Sequence, residues 1–109
     1  MADNLTWHLV CDADELDVED AISFKQDSNI YAVYRTPSGY YATQGKCTHA
    51  GALLADGLVI GEIIECSGHQ GRFHIPTGKA VRPPACAALK TYPVKLEDGK
   101  LFLGLPAPA

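Results

Sequence analysis

Two short mixed pairs of cysteine and histidine constrain this chain more than any other feature. The first is Cys47-Thr-His49 and the second is Cys66-Ser-Gly-His69, with sixteen residues between His49 and Cys66. Cysteine and histidine at such spacing point to a metal. Each pair mixes a thiol with an imidazole, where a common zinc site uses a cysteine pair and then a histidine pair. Gly51 and Gly57 flank an apolar arm, ALLADGLVIG, and the second pair runs into QGRFHIPTG. These glycines permit tight turns and close backbone approach around both pairs.

The rest of the chain limits what can surround such a site. Its 109 residues suit one compact domain, read here as 1–109. That is too short for a cofactor domain plus a substrate domain. Acidic residues outnumber Lys and Arg 13 to 9, a net charge of -4, so nucleic acid is not an expected partner. No apolar stretch is long enough to cross a membrane, because Asp56, Gly57, Gly61 and Glu62 interrupt the longest one, residues 50–64. The N-terminus, MADNLTWHLVCDADEL, has no basic region leading into an apolar run, so no secretory signal is expected and the cytoplasm is the expected location. In that reducing compartment Cys11, Cys47, Cys66 and Cys86 read as ligands or free thiols rather than disulfides.

Short β-favouring runs separated by Gly, Pro and Asp predict strands at Trp7–Val10, Ala21–Phe24, Asn29–Tyr34, Tyr40–Thr43, Glu62–Glu65, Arg72–Ile75, Leu89–Val94 and Leu101–Leu103. TPSG (36–39) and EDG (97–99) read as hairpin turns, and DADEL (12–16) as one helical turn capped by Asp12. No sustained 3.6-residue pattern appears. The expected class is all-β, a small antiparallel sandwich or barrel, with a frayed LPAPA tail.

Three readings of the Cys/His pairs stay open on spacing alone. Four unrelated residues by chance is one, and a tetrahedral structural zinc is another. A two-iron cluster fits better, because each loop can then give one ligand to each metal. If each loop gives its Cys to one iron and its His to the other, one iron is all-Cys and the other all-His, the Rieske arrangement. Neutral imidazole in place of thiolate removes negative charge and raises the potential above that of all-Cys ferredoxins.

CTH, followed by CSGHQGRF and PTGKA, resembles the Rieske-type [2Fe-2S] ferredoxins of bacterial ring-hydroxylating dioxygenase systems, over nearly the whole chain. The resemblance implies an all-β base with a small cluster-binding subdomain, about residues 44–77. It implies that Cys47 and Cys66 bind the inner iron, and that His49 and His69 bind the outer iron with their other ring nitrogens near solvent. It also implies a one-electron carrier rather than an enzyme, fed by an NAD(P)H-dependent flavoprotein ferredoxin reductase and serving a terminal oxygenase in aromatic-compound oxidation. The alternative is an electron-transfer component of another complex, of the rhizopine-catabolism or nitrite-reductase-like kind. An oxygenase centre within the chain is not expected, since only His8 and His74 would remain as histidines for an iron triad. A monomer is expected.

Several positions depart from the respiratory and photosynthetic Rieske proteins. Their two additional cysteines are replaced by Ala52 and Gly68, and two hydroxyl residues near the cluster sulfurs by Gly71 and Phe73. Missing hydrogen bonds to the sulfurs predict a potential below zero, roughly -150 mV. His74 reads as a surface histidine rather than a ligand, and His8 as a packed one. Pro83 and Pro84 in RPPAC resemble a loop covering the cluster. Lys46, Gln70 and Arg72 are candidates for partner contact, and the Leu53–Leu54 and Leu58–Ile60 runs are read as core.

Overall fold

The computed structural model describes residues 5–47, 52–67, 71–82 and 87–106. Eleven strands among them form three antiparallel sheets. β1 (Leu5–Asp12), β10 (Val94–Glu97) and β11 (Lys100–Pro106) make the first, in the order β1-β11-β10. β2 (Asp20–Gln26), β3 (Asn29–Thr36), β4 (Gly39–Gln44) and β9 (Thr91–Tyr92) make the second, in that order. β5 (Leu58–Ile60), β6 (Ile63–Glu65), β7 (Arg72–His74) and β8 (Ala80–Arg82) make the third, again in chain order. The all-β expectation holds, but no sheet closes on itself, so the architecture is layered rather than a barrel.

The middle layer is built on β3, which is buried on both faces. Side chains alternate across a strand. Tyr31 and Val33 therefore join one core with Leu16, Ala42, Leu101, Leu103 and Leu105. Ala32 and Tyr34 join the other with Leu54, Val59, Ile64, Phe73, Ile75, Leu89 and both Cys47 and Cys66. The site thus shares its core with the third sheet and one face of the second.

Both predicted turns are present. Thr36 pairs with Gly39 across Pro37-Ser38. Glu97 pairs with Lys100 across Asp98-Gly99, where φ is 53° and 75°. Those left-handed values are what a two-residue turn needs to match the strand twist. Residues Ala13–Glu15 form the expected helical turn, a 3₁₀ turn, with the Asp12 N–H donating to Glu15 Oε1 at 3.3 Å.

Three strand expectations are corrected. The run expected at Leu89–Val94 is two strands in different sheets, parted at Pro93, which has no N–H to offer a ladder. β5 and β8 were not expected as strands; each has only three residues, too few to show a period. The Leu58–Ile60 run is not simply core. It alternates across an edge strand, so Val59 is buried while Leu58 and Ile60 stand 59% and 41% exposed.

Candidate metal centre

Cys47 lies where β4 leaves its sheet. Gly45 passes against β3, its N–H donating to Ile30 O at 2.8 Å. A Cβ at Gly45 would lie 2.5–2.7 Å from Ile30 atoms, so only glycine permits this approach. Beyond it, the Leu54 N–H donates to Gly45 O and the Cys47 N–H to Ala52 O, both at 2.8 Å, with Lys46 bridging to Leu53. These bonds tie off a loop at Cys47. The Cys47 side chain is only 4% exposed.

Cys66 begins a second, similarly closed loop between β6 and β7. Its N–H donates to Gly71 O at 2.8 Å. Just outside, Arg72 donates to Glu65 Oε1 from Nε at 3.2 Å and from Nη2 at 3.0 Å. Arg72, a candidate partner contact, is therefore held within the chain. Cys66 is 1% exposed and packs in the same apolar cluster as Cys47. Phe73, beside that loop, is fully buried and offers no hydroxyl.

The structure therefore brings the two predicted cysteines into one core. His49 and His69 lie outside the described residues, as do Gln70, Gly68, Pro83, Pro84 and Cys86. Among the described residues no three His, Cys, Asp or Glu side chains gather as a metal site. The donor set does fit an iron–sulfur group. Two soft thiols, each at the base of a hydrogen-bonded loop and packed in one cluster with Leu54, Ile64, Phe73 and Leu89, are what sulfur ligation of such a group would require.

Beneath Cys47 lies a polar chain that the sequence reading missed. Tyr34 and Thr43 are fully buried and their hydroxyls are 2.7 Å apart. Burial pushes the Tyr34 phenol well up from its ordinary value; the Thr43 bond opposes this, and charge on Cys47 adds to it. No buried side-chain nitrogen or oxygen among the described residues lacks a hydrogen-bond partner.

His8, His74 and Cys11 lie outside the two loops themselves. The His8 ring packs against Phe24 at 6.4 Å. His74 bonds through Nδ1 to Thr77 Oγ1 at 2.9 Å on the outward face of β7. Cys11 packs at the edge of the other core, where burial, and then Glu15, Asp12 and Asp14, push its thiol up.

The family model described as the Rieske [2Fe-2S] domain matches residues 6–93. The chain belongs to the Rieske [2Fe-2S] domain family. Rieske domains carry a [2Fe-2S] cluster, and the two cysteine loops lie within the matched span. The chain is 35% identical over 94 residues to the biphenyl dioxygenase ferredoxin subunit of Pseudomonas sp. (strain KKS102), covering 85% of this chain and 86% of that one. It is 40% identical over 90 residues to the ferredoxin component of the naphthalene 1,2-dioxygenase/salicylate 5-hydroxylase systems of Ralstonia sp., covering 83% and 86%. Among solved structures it superposes on a chain of the complex of reduced oxygenase and oxidized ferredoxin in carbazole 1,9a-dioxygenase. The TM-score is 0.88 at 29% identity, covering 94% of this chain and 96% of that one. These Rieske relatives are named as ferredoxin components of dioxygenase systems, that is, electron carriers rather than the catalytic subunits.

Proposed function

We propose that this Rieske protein is a one-electron carrier between an NAD(P)H-dependent flavoprotein reductase and the Rieske centre of a ring-hydroxylating terminal oxygenase. The observation that carries the reading is the placement of Cys47 and Cys66, each at the base of a closed loop, in one apolar core. In this reading Cys47 and Cys66 hold the inner iron, and His49 and His69 hold the outer iron from the same two loops. Residues 44–77 act as the cluster-binding subdomain on a base formed by the first two sheets. The bound cluster supplies one-electron redox chemistry.

The chain's own residues do the rest. The backbone bonds Cys47–Ala52 and Cys66–Gly71 fix where the thiols stand. Leu54, Ile64, Phe73 and Leu89 exclude water from the sulfur side. Phe73 and Gly71 offer no hydroxyl, so the reduced, more negative state lacks two stabilising donors and the potential stays low. In this reading His49 and His69 would hold the outer iron and serve as the route by which electrons enter and leave. No segment of the described residues forms a helix long and apolar enough to cross a membrane. Work as a cytoplasmic monomer, docking weakly and briefly on each partner, accords with a carrier.

Iron, zinc and acid-labile sulfide analysis of anaerobically purified protein, with an EPR spectrum after dithionite reduction, tests this. Two irons and two sulfides per chain with the low average g of a mixed-ligand cluster are expected. One zinc and no sulfide would overturn the electron-carrier reading. With the cluster present, failure of the reduced protein to pass its electron to any Rieske oxygenase would move the chain to a different electron-transfer complex.

A further inference from the structure

The Gln44 side chain stands in for a piece of backbone at the point where β4 turns toward Cys47. In the β4–β9 ladder Thr43 is opposite Thr91, so Gln44 and Lys90 come next. The Gln44 N–H donates to Lys90 O at 2.9 Å, as a ladder requires. The return bond does not reach the Gln44 backbone carbonyl. Instead the Lys90 N–H donates to the side-chain Oε1 of Gln44 at 2.8 Å. The displaced backbone carbonyl accepts from Thr43 Oγ1 at 2.7 Å. The other end of the same amide, Nε2, donates to Lys46 O at 3.0 Å.

Lys46 O and the Cys47 N–H belong to one planar peptide unit. Gln44 holds the oxygen, and Ala52 O accepts the N–H at 2.8 Å. Held at both ends, that plane cannot rotate, and the direction in which Cys47 leaves the backbone is set. Through Lys90 the amide is also linked along the chain to the turn that follows β7. The Leu89 N–H, next to that of Lys90, donates to Gly78 O at 2.7 Å, just beyond β7. Adjacent amides at 89 and 90 thereby tie the strand before Cys47 to the sheet that carries Cys66.

We propose that Gln44 is a positioning residue for the cluster: acting through the Lys46–Cys47 peptide and through Lys90, it sets where the Cys47 thiolate stands relative to Cys66. This rests on the reading of Cys47 as a ligand. Without the amide the loop still closes, but the thiolate samples several positions, and the geometry at the iron becomes distributed. Redox properties of such clusters follow hydrogen bonding and solvent access around the sulfurs.

The test is Gln44→Met, which keeps length and neutrality but loses both bonds, beside Gln44→Glu, which keeps the acceptor for Lys90 and loses the donor to Lys46. Each is purified with its cluster and compared with wild type by iron and sulfide content, thermal unfolding, EPR line width of the reduced state and midpoint potential. Both variants are expected to broaden the EPR lines. Gln44→Met is expected to move the one-electron reduction equilibrium at least threefold, about 28 mV at 59 mV per decade. Unchanged line width and potential in a cluster-loaded Gln44→Met, with only a lower unfolding temperature, would show a merely structural amide and overturn the proposal. Should Gln44→Met fail to fold, Gln44→Glu decides: a potential moved by its charge without broadening overturns it, and broadening supports it. Wild type with no iron and no sulfide is a separate outcome, which removes the cluster reading itself and this inference with it.

Discussion

Tyr34 donates its buried hydroxyl to Thr43 Oγ1 at 2.7 Å, and the direction is fixed by Thr43 itself, whose hydroxyl donates onward to Gln44 O at 2.7 Å. Both side chains are fully buried, so no water takes over if one is removed. Tyr34→Phe leaves an unfilled acceptor on Thr43 and is expected to cost about 1 kcal/mol. Thr43→Val strands the Tyr34 O–H and the Gln44 carbonyl together and is expected to cost about 2–3 kcal/mol. Because the two share one bond, the double variant should cost less than the sum. Urea unfolding of the four proteins checks this, and equal single costs with full additivity would refute the directed chain.

Tyr92 gives a pH prediction at a distance from the cysteine loops. Burial, and then the neighbouring Tyr31, push its phenol above the ordinary value of 10.0. The two rings meet edge-on at 5.1 Å. A group whose pKa is higher folded than unfolded contributes stability that is present below the unfolded value and lost as pH rises through the folded one. Unfolding temperature should therefore fall above about pH 10, with Tyr92 contributing to the slope. Tyr92→Phe should flatten that fall while leaving the neutral-pH value nearly unchanged. An identical alkaline profile in the variant would remove Tyr92 as a cause.

Two glycines separate backbone strain from collision. Gly99 has φ of 75° and open space where a Cβ would go. Gly99→Ala should cost only the left-handed backbone penalty, about 1 kcal/mol. A Cβ on Gly57 would press into the Glu65 carbonyl, although the Gly57 φ of -85° suits any residue. Glu65 belongs to β6, immediately before Cys66, so the strain cannot be relieved without moving that loop. Gly57→Ala should cost about 3 kcal/mol or more and reduce iron retention as well. Thermal unfolding with iron quantification distinguishes the two, and a mild Gly57→Ala would mean the backbone there yields.

What the sequence revealed about this fold depended on the range of the interactions. The two cysteines of the loops, the Asp98-Gly99 turn and the all-β class rest on residues a few positions apart and were readable. The double-sided role of β3 was partly readable, since the bulky–small alternation of IYAVYR marked a strand but not which layer each face meets. The break at Pro93 was available in principle, because proline cannot donate to a ladder. The exposure of Leu58 and Ile60 was not, since it depends on β5 being an edge strand. Gln44 carried no local signal at all. Its partner Lys90 lies 46 positions away, and only folding gives that amide two backbone contacts.

Removing the cluster should loosen the two cysteine loops and spare the first sheet. Metal ligation and folding are coupled wherever the ligands must be held against water. Without iron, Cys47 and Cys66 remain as buried thiols, and the backbone bonds Cys47–Ala52 and Cys66–Gly71 still close the bases of their loops. The core of Leu101, Leu103 and Leu105 contains neither cysteine of these loops, and β11 pairs along its length with β1. Hydrogen exchange of apo and cluster-loaded protein should therefore differ most in peptides spanning 45–54 and 64–73, with β1 and β11 alike in both states. Equal deprotection of β11 would show that the three sheets unfold as one unit, and no change in the cysteine loops would mean that they are ordered without any metal, against the ligand assignment of Cys47 and Cys66.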